Sequence, residues 1–272
     1  MTNIRPPAVA GSFYPGNAAT LAAEIDAMLV EAGRRKPLTP GEQLPKAIIV
    51  PHAGYIYSGP VAAEAFLRLR AGKGIITRVL LLGPVHRVAV RGVALSSASS
   101  FLTPLGTVPL DGEAALRLVG APHVGVCDPA HAEEHSLEVQ LPFLQRVLEE
   151  FLLIPLAVGD AGAEEVADLL ERLWGGPETL IVISSDLSHY LPYDAARRMD
   201  DATVQALLNL QLLVSHEQAC GASPVNGLIV AARRKGLQPR LIDLRNSGDT
   251  AGDKERVVGY AAMAFYEGDS HV

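Results

Sequence analysis

Short unbroken runs of Val, Ile and Leu alternate along this chain with stretches whose apolar residues recur every three or four positions. The first pattern predicts strands buried on both faces, and the second predicts helices that cover them. Residues 1–16 read as an irregular arm punctuated by Pro and Gly. NAATLAAEIDAMLVEAG then predicts a helix stopping at Gly33, and RRKPLTPGEQLP a polar loop. AIIV is a strand, VAAEAFLRL a helix opening after Gly59 and Pro60, and RVLLLGP a second strand. VALSSASSFLTPLGTVPL predicts two short strands around a loop, as a hairpin on the sheet edge. EAALRLVG and LEVQLPFLQRVLEEF suit helices, although Pro142 is tolerable only near the start of the second.

LLIPLAVGD and TLIVISSD are further strands, separated by the helix AEEVADLLERLW. ARRMDDATVQALLNL and SPVNGLIVAARRKG are helices, the latter with Ser223 as N-cap, Pro224 at its first position and Gly236 as its stop. RLIDLRNSGD and RVVGYAAMAFYE close the chain as strands. Strand and helix alternate without internal repeat. This predicts one α/β domain over residues 1–272, with a mixed central sheet flanked by helices.

Composition narrows the setting. With 49% apolar and 19% charged residues the chain reads as globular, and no apolar stretch is long enough to span a bilayer. The start lacks the apolar segment of a secretory signal, and two cysteines do not make a disulfide framework. A reducing, cytoplasmic compartment is therefore expected. A net charge of -7 argues against nucleic acid as a partner.

Three of the apolar runs end in histidine: AIIVPHAGY in His52, RVLLLGPVHR in His86, and TLIVISSDLSH in Asp186 and His189. Open α/β sheets bind ligands just beyond the carboxyl ends of their strands, and imidazole is both the commonest metal ligand and the commonest general base. Pro51 and Gly54 around His52, and Gly83 and Pro84 before His86, allow the sharp turns that aim a ring into a cavity. Asp186 and His189 would share a face if the segment turned helical. The alternative is an aspartate that caps the next turn.

Ser184 and Ser185 invite a Ser–His–Asp reading but lack a nucleophile elbow. Cys127, His131 and His135, spaced by four with Glu134 nearby, could form a local metal clip, although Pro129 argues against a continuous helix there. Cys220 stands just before a helix whose N-terminal dipole favours a thiolate. The ordinary reading of a free cysteine is a small buried residue. His123, His216 and His271 read as surface residues.

The segments AGSFYP, PHAGYIYSG, LLLGPVHR, EEHSLEVQLPFL, ISSDLSHY, CGASPVNGL and NSGDTAGDKERVVGYAA, in that order from about Pro7 to Tyr266, resemble the Memo family. Its bacterial members are also called AmmeMemoRadiSam system protein B, after associated radical-SAM proteins. The resemblance implies a fold similar to that of the class III extradiol ring-cleaving dioxygenases (LigB-like), which use non-haem iron. It implies a metal held by His52, His86 and Cys220, with Asp186 and His189 in the same pocket. His189 is then a base, oriented by Asp186. His135 of the EHS segment and Tyr55 are implied as pocket residues. Arg87 stands where the family often has a second histidine.

A thiolate in place of the dioxygenase carboxylate softens the site. Iron is expected first, copper second, with zinc admitted. The expected function is redox or oxygenase-like chemistry on a small molecule or peptide, with a radical-SAM protein as partner and no membrane. Two alternatives use the same cleft. One is a non-catalytic module binding a peptide or partner, since animal members are linked to phosphotyrosine-peptide recognition. The other is a zinc-dependent hydrolase.

Overall fold

In a computed structural model the chain is described over residues 3–39, 41–213 and 215–268. In chain order the elements are β1 (Ile4–Arg5), α1 (Ala18–Arg35), β2 (Ala47–Val50), α2 (Tyr55–Arg68), β3 (Arg78–Pro84), β4 (Val93–Leu95), β5 (Ser100–Thr103), β6 (Gly106–Pro109), α3 (Gly112–Leu116) and β7 (Val124–Val126). There follow α4 (Asp128–Ala132), α5 (His135–Glu138), α6 (Leu141–Val147), β8 (Leu152–Val158), α7 (Ala163–Arg172), β9 (Thr179–Ser184), β10 (His189–Leu191), α8 (Tyr193–Leu208), α9 (Ala222–Lys235), β11 (Gln238–Asn246) and β12 (Val257–Tyr266).

The main sheet runs β10-β12-β2-β9-β3-β8-β4-β7, with β11 also on β12. At its centre β2, β9, β3 and β8 are mutually parallel, while β12 and β4 join antiparallel. The unbroken apolar runs exist because helices cover both faces. Ile48, Val50, Val79, Leu81, Leu180 and Val182 pack into one core with α1, α2 and α6. Their alternates Ala47, Ile49, Leu80, Leu82, Ile181 and Ile183 pack into a second core with α7, α8 and α9. This is the single-domain mixed α/β sheet that the alternating pattern predicts. Among the described residues no helix is long and apolar enough to cross a membrane.

Several local expectations are corrected. Helix α1 passes Gly33 and ends at Arg35, because Gly33 faces the Leu67 side chain of α2 inside the helix pair. Helix α2 begins at Tyr55, enclosing Pro60, rather than after it. The hairpin β5–β6 forms, but in a separate three-stranded sheet with β1, while Val93–Leu95 joins the main sheet. The long predicted helix around Pro142 is two, α5 and α6, and Pro142 falls in the first turn of the second. Gly221, not Ser223, caps α9, and Gly236 ends it in the left-handed conformation (φ 69°).

The arm at the N-terminus is tied down by a buried ion pair that its sequence did not announce. Arg5 bonds Glu138, and the same carboxylate accepts from the Tyr14 hydroxyl (2.5 Å) and from the backbone N–H of Ala8 (2.7 Å) and Val9 (3.0 Å). Removing one partner of such a pair strands a charge without water. Glu138→Gln should therefore cost about 3–5 kcal/mol, read as a lowered urea midpoint with an unchanged slope. A loss below about 1 kcal/mol, the scale of an exposed pair, would show the clamp to be incidental.

Candidate metal centre

The four central strands deliver their polar residues at one offset. Beyond Val50, Ser184, Pro84 and Val158, the last residues of β2, β9, β3 and β8, the second residue is His52, Asp186, His86 and Asp160 respectively. Pairing of Val50 with Ser184 and of Pro84 with Val158 keeps these ends level. Two glycines make the approach of the remaining groups possible. A Cβ on Gly83 would lie 2.8 Å from Ser136 Oγ, and one on Gly221 would lie 2.7 Å from the Ser185 side chain. Without side chains there, α5 closes on β3, and the start of α9 brings Cys220 onto the end of β9.

His52, His86 and Cys220 each aim one donor atom into a common space, all within 4.8 Å of one another, and Cys220 Sγ is 3.2 Å from His52 Nε2. The tautomers follow from the partners. The Ser184 hydroxyl donates to Ser136 O (2.6 Å), so at 2.9 Å from His52 Nδ1 it accepts. His52 is thus protonated on Nδ1, with the Nε2 lone pair free. His86 Nδ1 faces Glu134 Oε1 at 2.9 Å, an acceptor, which frees its Nε2 in the same way. An imidazole anchored through Nδ1–H to a carboxylate or hydroxyl is the usual support of a metal-binding histidine.

The electrostatics favour a cation. Burial, then the neighbouring His135 and His86 rings, pushes His52 well below the usual imidazole range, and burial takes His135 down to about 4. Burial and the nearby Asp186 push the Cys220 thiol up to about 12. Burial likewise raises Asp186 to about 7 against the hydrogen bond from His52 N–H. Glu134 is the exception. Burial would raise it, but hydrogen bonds from His86 and Ser136 outweigh that and hold it at about 2. Burial thus disfavours charge on His52, His135 and Cys220, and Glu134 is the firm carboxylate behind His86. A transition metal fits these donors, since imidazole and thiolate suit iron, copper or zinc and not magnesium or calcium.

Asp186, His189 and His135 join His52 and His86 around a cleft of about 640 Å³, walled by Phe13, Tyr57, Tyr190 and Tyr260 with Arg256 at its edge. Other expected placements change. Tyr55 is buried in the core beside Phe143 with its hydroxyl donating to Val139 O, and Tyr57 lines the cleft instead. Asp186 and His189 do not share a helical face, because His189 opens strand β10. Asp186 Oδ1 accepts from His52 N–H (2.7 Å), and it is Leu187 O that accepts from His189 Nδ1 (2.8 Å) and orients that ring.

No clip forms at Cys127. It packs at the edge of the core, His131 bonds Ala94 O, and only His135 reaches the site. Ser184 is fully buried and committed to Ser136, not poised as a nucleophile. His123 and His216 are exposed, and His271 lies outside the described residues. Glu134, expected only beside a Cys127 clip, and Gln140, which bonds both Pro51 O and Ser184 Oγ, are supports of the site that the sequence does not identify. Only the adjacency of Glu134 to His135 in EEHS hinted at the first.

Comparison with known proteins settles the family. The family model described as Memo-like protein matches residues 5–264. The chain belongs to the Memo family. A MEMO1 family protein of Aquifex aeolicus is 38% identical, over 96% of this chain and 99% of its own length. MEMO1 family proteins of Ignicoccus hospitalis and Sulfolobus acidocaldarius are 38% and 34% identical, each over 96% of this chain and at least 98% of their own. Among solved structures, the uncharacterized protein JW3007 from Escherichia coli K12 superposes with a TM-score of 0.54 at 13% identity, covering 80% of this chain and 98% of that one. That likeness is one of fold alone.

Glu134 is the support most open to test. Glu134→Gln removes the charge behind His86 and should weaken metal affinity about 10–100-fold, measured by competition with a chromophoric chelator. Unchanged affinity would mean that the carboxylate serves folding alone.

Proposed function

We propose that this Memo-family protein binds a transition metal through His52, His86 and Cys220 and uses the adjoining cleft to act on a small organic ligand. The observation that carries the reading is the pair of anchored rings: both histidines hold Nδ1–H in hydrogen bonds and turn a free Nε2 toward the cysteine sulfur. Iron is the first expectation and copper the second. A bound metal with open positions would supply Lewis-acid or redox chemistry at that point.

The chain's own residues divide the remaining work. Aromatic rings offer the ligand apolar contact and Arg256 offers it a positive charge. His189, with Nδ1 held by Leu187 O and its basic range lowered by burial, is neutral at pH 7 and takes a proton at Nε2. Asp186, held near 7, exchanges a proton in the same range while its Oδ1 fixes the His52 backbone.

Anaerobic loading with ferrous iron, cuprous copper or zinc, followed by gel filtration and elemental analysis, tests this reading. Wild type should retain stoichiometric metal, His52→Ala and Cys220→Ala should retain almost none, and His189→Gln should load like wild type. Equal uptake and identical spectra for wild type and His52→Ala would refute the ligand assignment. Preference for zinc over both redox metals would move the reading to hydrolysis.

A further inference from the structure

The donor cluster has a second side. Adjoining the cleft already described lies another of about 460 Å³, whose lining includes His86, Arg87, Asp160, His216, Cys220 and Ser223. Cys220 lines this cleft and not the first, His52 lines the first and not this one, and His86 borders both. The three donors therefore lie where the two clefts adjoin, with Cys220 reached from the second.

That second opening carries groups suited to passing a cation inward. Asp160 stands at its edge, beyond the end of β8, and His216 is exposed in the segment before α9. His216 Nδ1 lies 3.4 Å from Cys220 O. A carbonyl only accepts, so the proton sits on Nδ1 and the Nε2 lone pair is free, as in His52 and His86. Arg87 is offset by Glu133, 3.9 Å away. At the first cleft, Arg256 has no carboxylate within ion-pair distance among the described residues and lies 5.1 Å from the Tyr190 ring. Asp186 and Asp253 line the same cleft, so Arg256 serves there as a point of attraction for an anionic group of the ligand, not as a barrier to cations.

We infer that the metal ion enters and leaves through the second cleft, passed from His216 and Asp160 to Cys220 and His86, while the first cleft takes the organic ligand. The inference rests on the metal-site reading above. It separates two traffics that would otherwise compete for one mouth: metal can exchange by one route while ligand occupies the other.

Stopped-flow uptake of Co(II) by metal-free protein, followed through thiolate-to-cobalt absorbance, tests the route. Ser223→Trp fills the second cleft, and Arg256→Trp crowds the first. Ser223→Trp and His216→Ala should each slow uptake by at least about fivefold, within the range over which association rates vary among related variants. Final cobalt content should not change, and Arg256→Trp should not slow uptake.

His216→Ala alters an exposed side chain and keeps the test open should Ser223→Trp fold poorly. A second readout needs no metal: alkylation of Cys220 by iodoacetamide, mapped by peptide mass to separate it from Cys127, should be slowed by Ser223→Trp and not by Arg256→Trp. Slowing by Arg256→Trp alone, in either assay, overturns the route while leaving the metal site standing. Wild type that takes up no cobalt at equilibrium overturns the site and the route together.

Discussion

The polar end of this sheet is held together by one hydroxyl. Ser184, at the tip of β9, accepts from His52 Nδ1 and Gln140 Nε2 and donates to Ser136 O, so β2, β9, α5 and α6 meet at a single fully buried oxygen. A buried hydroxyl in three hydrogen bonds has no spare capacity, and each partner is thereby fixed in direction as well as position. A flip of the His52 ring would break one of the three hydrogen bonds of this buried hydroxyl. The free Nε2 toward Cys220 is a consequence of that constraint.

Around this hub the site separates charge from chemistry. Glu134, with hydrogen bonds from His86 and Ser136, is the firm anion, while burial disfavours charge on His52, His135 and the Cys220 thiol. Left empty of positive charge, such an arrangement is costly only at the carboxylate. That cost is met by hydrogen bonds from His86 and Ser136. The second-residue offset beyond four level strands adds the geometry: His52, Asp186, His86 and Asp160 are presented by backbone register, not by flexible loops.

Much of this was legible along the chain. Unbroken apolar runs gave the buried parallel strands, and their carboxyl ends gave His52, His86, Asp186 and His189 before any coordinates. Cys220 was visible as a residue just before a helix. The motif resemblance added Cys220 itself, which strand reading alone does not connect to the histidines. Errors fell where packing overrides local preference. The motif resemblance implied Tyr55 as a pocket residue, but α2 begins at Tyr55 and turns that ring into the core toward Val139. The Asp186–His189 pairing assumed a helix, but pairing with β12 drew His189 into a strand.

The sequence by itself determined the fold class, the sheet edge where chemistry collects and most of the residues found there. Those depend on hydrophobic periodicity and on strand ends, which are local properties of the chain. Tertiary structure decided which nitrogen of each ring is free, which carboxylate is ionised and which orients another residue, and that Cys220 faces a different cleft from His52. Those depend on distances between segments far apart in the chain, and on burial, which no single segment carries in its own pattern.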